Sequence, residues 1–441
     1  MDSTMTRPAL IRTLGLGDAT MLVIGCIVGA GIFRTASSIA HHLPSPPLIL
    51  GLWALGGALS LCGALCYAEL AAMFPKTGGD YIYLREVYGD FWGFLFGWTK
   101  LFIERTGTIA ILGFVFAEYV RQVLGYHEPL VRWVATGAIL ILTAVNVVGI
   151  RWGTIVQNVF TVLKVVALAC LIVAGAHALT SQTAPTSPWT IPSLNASLLQ
   201  SMGVALIFVL WTYGGWTEAA YVAEEIKEPT RNVPIAIILG VIVTTVLYTL
   251  VNASYLLHLP IDAIAQTPLV ASRVMESAIG PSGATFIAWM IAASAFGALN
   301  GYILTGGRIL YAMAQHHRLF AQLATTHPTF HTPLRALWLN AAIAIALVFT
   351  KTFDQIMTYS TVVISVFFTM TVIGVMVLRR TRPRHPRPYR AWGYPWTPLA
   401  FVVTMLAFIL DVCVKQPADA AFGAVALALG IPLYAWSRTV N

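Results

Sequence analysis

The chain has 441 residues, of which 58% are hydrophobic and 10% charged, with a formal net charge of +8. Soluble domains carry about 25% charged residues, so there are too few here to cover a water-facing surface, and a membrane-embedded body is expected. The positive charge does not point to nucleic acid: six arginines crowd into RRTRPRHPRPYR at 379–390, directly after an apolar run, where a cytoplasmic loop accounts for them.

A spanning helix needs about 20 mostly apolar residues. Twelve candidates follow in chain order: 15–40, 47–74, 86–120, 129–150, 152–179, 198–225, 233–257, 284–314, 334–350, 354–378, 397–414 and 419–437. The opening MDSTMTRPALIRTL is polar and has no apolar core of the kind a cleaved leader carries, so the first segment is expected to remain as a span.

Span 1 contains GCIVGAGIF at 25–33. Glycine inside a helix costs about 1 kcal/mol relative to alanine, and a bilayer penalises every unpaired backbone group. Gly29-Ala30-Gly31 therefore predicts an interruption, although Gly25 and Gly29 also form a small-xxx-small face suited to close helix packing. Span 3 carries Lys100, Glu104 and Arg105; the first two sit four apart and read as a structural ion pair. Span 5 holds Lys164 alone in VQNVFTVLKVVAL, about 18 Å of helix from either end. That is too deep for easy snorkelling, and an intramembrane cation marks function.

Span 6 reads WTYGGWTE, with a second interruption at Tyr213-Gly214-Gly215. Glu218 follows it, a carboxylate able to carry a proton if buried. Glu224 and Glu225 are expected at the cytoplasmic end of this span, facing basic loops. The two interruptions lie five spans apart, each in the first helix of its half if the halves are spans 1–5 and 6–10. Five is odd, so the halves have opposite membrane orientation. Paired breaks in inverted repeats point to a central binding site.

A broken helix exposes free N–H groups on one side and free C=O groups on the other. A zwitterion has a carboxylate for the first and an ammonium for the second. An α-amino acid thus fits both breaks, while an anion or organic cation would use one end alone. The five cysteines, Cys26, Cys62, Cys66, Cys170 and Cys413, lie in apolar segments without metal-ligand spacing; they read as small buried hydrophobes, with no metal or cofactor implied. Seventeen of the 26 lysines and arginines fall on the side of the N-terminus and six on the other, which places both termini in the cytoplasm.

The motifs GCIVGAGIF, PKTGGDYIYLREVYG (75–89), WTYGGWTEAAYVAEEIKEPTRNVPIAI (211–237), SAFGALNGYILTGGR (294–308) and RPYRAWGYP (387–395) resemble, in order and over nearly the whole chain, the amino acid–polyamine–organocation (APC) superfamily. Within it the chain looks most like bacterial relatives of the L-amino acid transporters. The resemblance implies an all-α integral membrane protein of the LeuT-type fold. It would have twelve transmembrane helices in a 5+5 inverted repeat plus two extra helices, with helices 1 and 6 unwound. One transmembrane domain would fill 1–441, with repeats at about 15–179 and 198–378 and extra helices at about 397–437.

Carried over residue by residue, the resemblance sets the substrate carboxylate against the amides of Gly29, Ala30 and Gly31, beside Ile32. The amine then meets the carbonyls of Ile27, Trp211 and Gly214, next to Tyr213. Relatives often have serine where Ala30 stands, so a hydroxyl contact is lost here. Trp211 matches an aromatic gate, or simply fills space in the bundle. Lys164 matches a span-5 lysine whose ammonium stands where sodium-coupled relatives hold an ion, bridging span 1 to span 8 near Ser294. Tyr248 and Asn252 resemble positions near the site, or serve as interhelical hydrogen bonds, and Glu218 stands where nearer relatives often have asparagine.

The function implied is a sodium-independent exchanger of neutral L-amino acids in the plasma (inner) membrane. A proton-coupled symporter or a cationic amino acid or polyamine carrier of the same fold is the nearest alternative, and a channel or substrate sensor the next. An enzyme is not expected, since no HExxH, GxSxG or GxxxxGK pattern occurs. The loop RQVLGYHEP (121–129) lacks the cysteine that would tether a heavy subunit, so no disulfide-linked partner is expected.

Overall fold

The computed structural model describes residues 10–180, 189–193, 195–267, 269–350, 353–415 and 417–440. Arg7 and Lys351, two of the charges used for orientation, lie outside the described residues. The described chain is helical, with one isolated bridge, Leu14 to Ile226, and no strand.

In order the helices are α1 (Leu16–Ile27), α2 (Gly31–His42), α3 (Pro46–Met73), α4 (Asp80–Tyr88), α5 (Asp90–Thr99), α6 (Arg105–Leu124), α7 (Leu130–Val148), α8 (Ile150–Thr180), α9 (Ala196–Thr212) and α10 (Glu218–Tyr221). They continue with α11 (Pro229–His258), α12 (Ile261–Ala265), α13 (Val270–Ile279), α14 (Pro281–Ala314), α15 (Leu334–Thr350), α16 (Phe353–Thr381), α17 (Trp396–Lys415), α18 (Pro417–Ala428) and α19 (Gly430–Val440). Among the described residues eight helices are long and apolar enough to cross a membrane, or nine with α1 and α2 taken as one span bent by 41°.

The distribution of side chains suits lipid. Val173, Leu410, Val403, Trp133 and Ile141 are each well over half exposed on the outside, while Glu69, Lys100, Arg105, Lys164, Glu218, Glu225 and Arg308 are buried within. This reverses the pattern of a soluble protein, as expected where the solvent is apolar and ions must pair inside. Most of the buried charges form ion pairs: Arg105 with Glu218 at 2.9 Å, Lys100 with Glu104 at 2.7 Å, Arg308 with Glu225 at 2.8 Å and Arg379 with Glu69 at 2.5 Å. Lys164 instead donates to a backbone carbonyl, and buried Asp80 accepts from the hydroxyls of Tyr67, Tyr221 and Thr371. Glu225 therefore meets a helix, α14, where a basic loop was expected.

Three segments differ from the sequence expectation. A π-helical turn at Lys100–Glu104 joins α5 to α6 into one 35-residue span. The sixth segment does not continue as a long helix after its glycines: α9 stops at Thr212 and only the single turn α10 resumes. The last segment is divided between α18 and α19. In the sixth, two consecutive glycines and the pull of buried Glu218 towards Arg105 outweigh helix propagation.

Candidate functional site

The first interruption is an account of backbone groups. α1 ends at Ile27, and Val28 donates to the Ile24 carbonyl while Gly29 turns back to the Ile27 carbonyl at 2.8 Å. The carbonyls at the end of α1 then lack helical partners, and side chains supply them. Lys164 Nζ donates to Gly25 at 2.5 Å, Tyr248 Oη to Ile27 at 2.9 Å, and Ser294 Oγ to Val28 and Gly29, each at 3.3 Å. A buried ammonium at a helix C-terminus is also favoured by the helix dipole. α8, α11 and α14 each contribute one of these donors.

On the other side of the break, α2 begins at Gly31 with Ala30 as its N-cap and no side chain capping it. The N–H groups of Ala30, Gly31 and Ile32 find no acceptor among the described residues. A methyl group added at Gly29 would meet nothing within 4 Å, so this glycine faces open space. One added at Gly31 would lie 3.2 Å from the Trp211 ring.

The second interruption packs directly on the first. Gly215 has φ of +109°, and a Cβ there would come within 2.8 Å of the Cys26 carbonyl carbon. Only glycine supplies both the dihedral and the close backbone approach. Thr35 of α2 and Thr212 of α9 share a hydroxyl hydrogen bond at 3.1 Å. The Trp211 carbonyl accepts from Gly214 N–H at 3.0 Å, and no donor reaches the Gly214 carbonyl among the described residues. Glu218 forms a two-pronged pair with Arg105 at 2.9 and 3.1 Å, and Thr305 Oγ1 of α14 donates to it at 2.5 Å.

Both breaks open on one cavity of about 210 Å³. Its lining includes Ile27, Gly29, Ala30, Gly31, Trp211, Gly214 and Glu218. That is smaller than the roughly 300–1,000 Å³ of drug-sized ligand sites and suits a small metabolite. Ile32 and Tyr213 are buried behind it, Tyr213 Oη donating to the Trp53 carbonyl at 3.0 Å. Asn252 is turned away, bonding the Tyr248 carbonyl one turn back on α11.

A profile of the amino acid permease family matches residues 14–427, nearly the whole chain. The chain belongs to the amino acid permease family. It is similar to the serine/threonine exchanger SteT of Bacillus subtilis (strain 168), with 30% identity over 428 residues and 96% of each chain covered. It is 31% identical to the b(0,+)-type amino acid transporter 1 of Mus musculus over 414 residues, 93% of this chain and 84% of that one. The Asc-type amino acid transporter 1 of Mus musculus is 28% identical over 443 residues, 97% of this chain and 81% of that one.

Sequence reasoning missed the joining of Arg105 to Glu218. The signal was available: opposite charges on two spans have to find each other in lipid. Thr305 and Trp53 gave no comparable sign.

Proposed function

We propose that this permease is a sodium-independent secondary transporter that exchanges neutral L-amino acids by alternating access around the two breaks. The reading includes the LeuT-type fold. Its twelve spans would be α1 with α2, α3, α5 with α6, α7, α8, α9 with α10, α11, α14, α15, α16, α17, and α18 with α19. The first ten form two inverted repeats at about 15–179 and 198–378, and the last two are the additions. Both termini lie in the cytoplasm of a cell whose plasma membrane holds the protein, with no disulfide-linked heavy subunit.

The observation that carries this reading is the meeting of both interruptions in one cavity, with unpaired amides on one wall and an unpaired carbonyl on the other. The substrate carboxylate takes the amides of Ala30 and Gly31. Its ammonium takes the carbonyls of Gly214 and Trp211. The Gly29 N–H, now on the Ile27 carbonyl, turns to the carboxylate and frees Ile27 for the ammonium, so substrate replaces an internal hydrogen bond on both sides at once. Lys164 puts a fixed ammonium on the end of α1, where a bound cation would otherwise serve, which supports sodium independence. Glu218 is tied in an ion pair with Arg105, which supports a structural role over proton carriage. The relatives named as amino acid transporters, one of them an exchanger of serine and threonine, support the same reading.

Purified protein in sodium-free proteoliposomes tests it. Saturable uptake of labelled serine, stimulated by unlabelled amino acid inside, is expected. Lys164→Ala should remain folded and lose at least about tenfold in rate, as expected for one charged hydrogen bond. Uptake that needs sodium, or an unimpaired Lys164→Ala, would overturn the proposal; unsaturable flux would point to a channel instead.

A further inference from the structure

One wall of the cavity is not used by the backbone-binding groups. The span formed by α5 and α6 lines it with Lys100, Glu104 and Thr108, spaced four residues apart and so on one helix face. Beyond Thr108 the same face turns apolar with Ile111, Leu112 and Val115. The polar part begins in the π-helical turn Lys100–Glu104, where Thr106 Oγ1 donates to the Leu101 carbonyl five residues back at 2.8 Å. Such turns recur at functional sites. Here Glu104 lines the cavity while Arg105, the next residue, is committed to Glu218.

The ammonium of Lys100 is held firmly. It pairs with Glu104 Oε2 at 2.7 Å and lies 5.3 to 5.9 Å from the ring centres of Tyr221, Phe96 and Phe368. Glu104 keeps 12% of its side chain exposed in the middle of the bundle, and that exposure is to the cavity. Among the described residues no donor is placed on its Oε1.

We propose that Lys100, Glu104 and Thr108 form the side-chain subsite of the cavity, and that the substrate is a small neutral amino acid bearing a hydroxyl or carboxamide. The inference rests on the amino acid transport proposed above. The Lys100–Glu104 pair has no net charge, so a cationic side chain must displace Lys100 and an anionic one must face Glu104. A hydroxyl or carboxamide both donates and accepts. It donates to Glu104 Oε1 and accepts from the Thr108 hydroxyl. An apolar side chain of the same shape leaves the Glu104 oxygen desolvated and unpaired, which is the costly half of a lost hydrogen bond.

Threonine and valine share a shape and differ in a hydroxyl, so they are the probes. In sodium-free proteoliposomes threonine should compete with labelled serine at a concentration at least about tenfold below valine, as expected for one hydrogen bond to a charged group. The double variant Lys100→Met with Glu104→Leu removes both charges of the pair together, and buried Asp80 nearby keeps its hydrogen bonds from Tyr67, Tyr221 and Thr371. If it is monodisperse by size exclusion, its threonine-to-valine ratio should fall to about one or reverse. Thr108→Val, which touches no ion pair, should lower the ratio as well and serves if the double variant does not fold. Equal competition by threonine and valine in the wild type, or an unchanged ratio in the variants, would overturn the subsite while leaving transport intact. No amino acid uptake by folded wild-type protein would overturn the transport reading, and the subsite with it.

Discussion

After the first interruption the chain regains a 12-residue helix, α2; after the second it regains the single turn α10. The first break is held through its carbonyls, which Lys164, Tyr248 and Ser294 fill from three different helices. The second is held through a side chain, Glu218, which Arg105 and Thr305 grip from two others. A long helix after a break offers a row of amides with a dipole behind them. A four-residue turn does not, and the second break instead contributes carbonyls and a glycine thin enough to touch the first. Two similar glycine motifs thus present opposite backbone groups, amides and a carbonyl, to one cavity.

That contrast can be broken by removing what holds each side. Arg105→Ala leaves Glu218 as an unpaired buried charge beside the second break, and a loss of about 3–5 kcal/mol in stability is expected; thermal unfolding in detergent measures it. Gly215→Ala forces a side chain into a left-handed dihedral and against the Cys26 carbonyl. Strain and overpacking together should cost about 3 kcal/mol, with transport lost even where some folded protein survives. Gly29→Ala is the sharpening case. A methyl there meets nothing within 4 Å, so stability should stay within about 0.5 kcal/mol of wild type. Amino acid uptake should nevertheless fall, because the proposed site sets the substrate in that space. If Gly29→Ala transports normally while Gly215→Ala merely unfolds, both glycines serve packing and the site lies elsewhere in the cavity.

Much of this was readable in the chain. Long apolar runs marked the spans because twenty residues of helix match a bilayer, and most boundaries fall within a few residues of those expected. GCIVGAGIF and WTYGGWTE marked the breaks because glycine weakens a helix wherever it falls. Lys164 stood out as a cation with no water to reach, and its partner proved to be the Gly25 carbonyl on α1. Asn252 also stood out, yet its amide bonds back within α11; a sequence gives the rotational position of a residue only to within its own helix.

Composition and the placing of glycines alone determined that this chain lives in a membrane, that two of its apolar segments are interrupted, and which residues at those interruptions have backbone groups to spare. These are local properties, set by hydrophobicity and by glycine's missing Cβ. Tertiary structure decided which freed groups remain unpaired: Ile27 is filled by Tyr248 and Gly29, while Gly214 is left bare. It also decided that Arg105 pairs with Glu218 while its neighbour Glu104 pairs with Lys100 and lines the cavity. Both outcomes depend on which distant helix lies within about 3 Å of an atom, and that distance is set by packing the whole bundle.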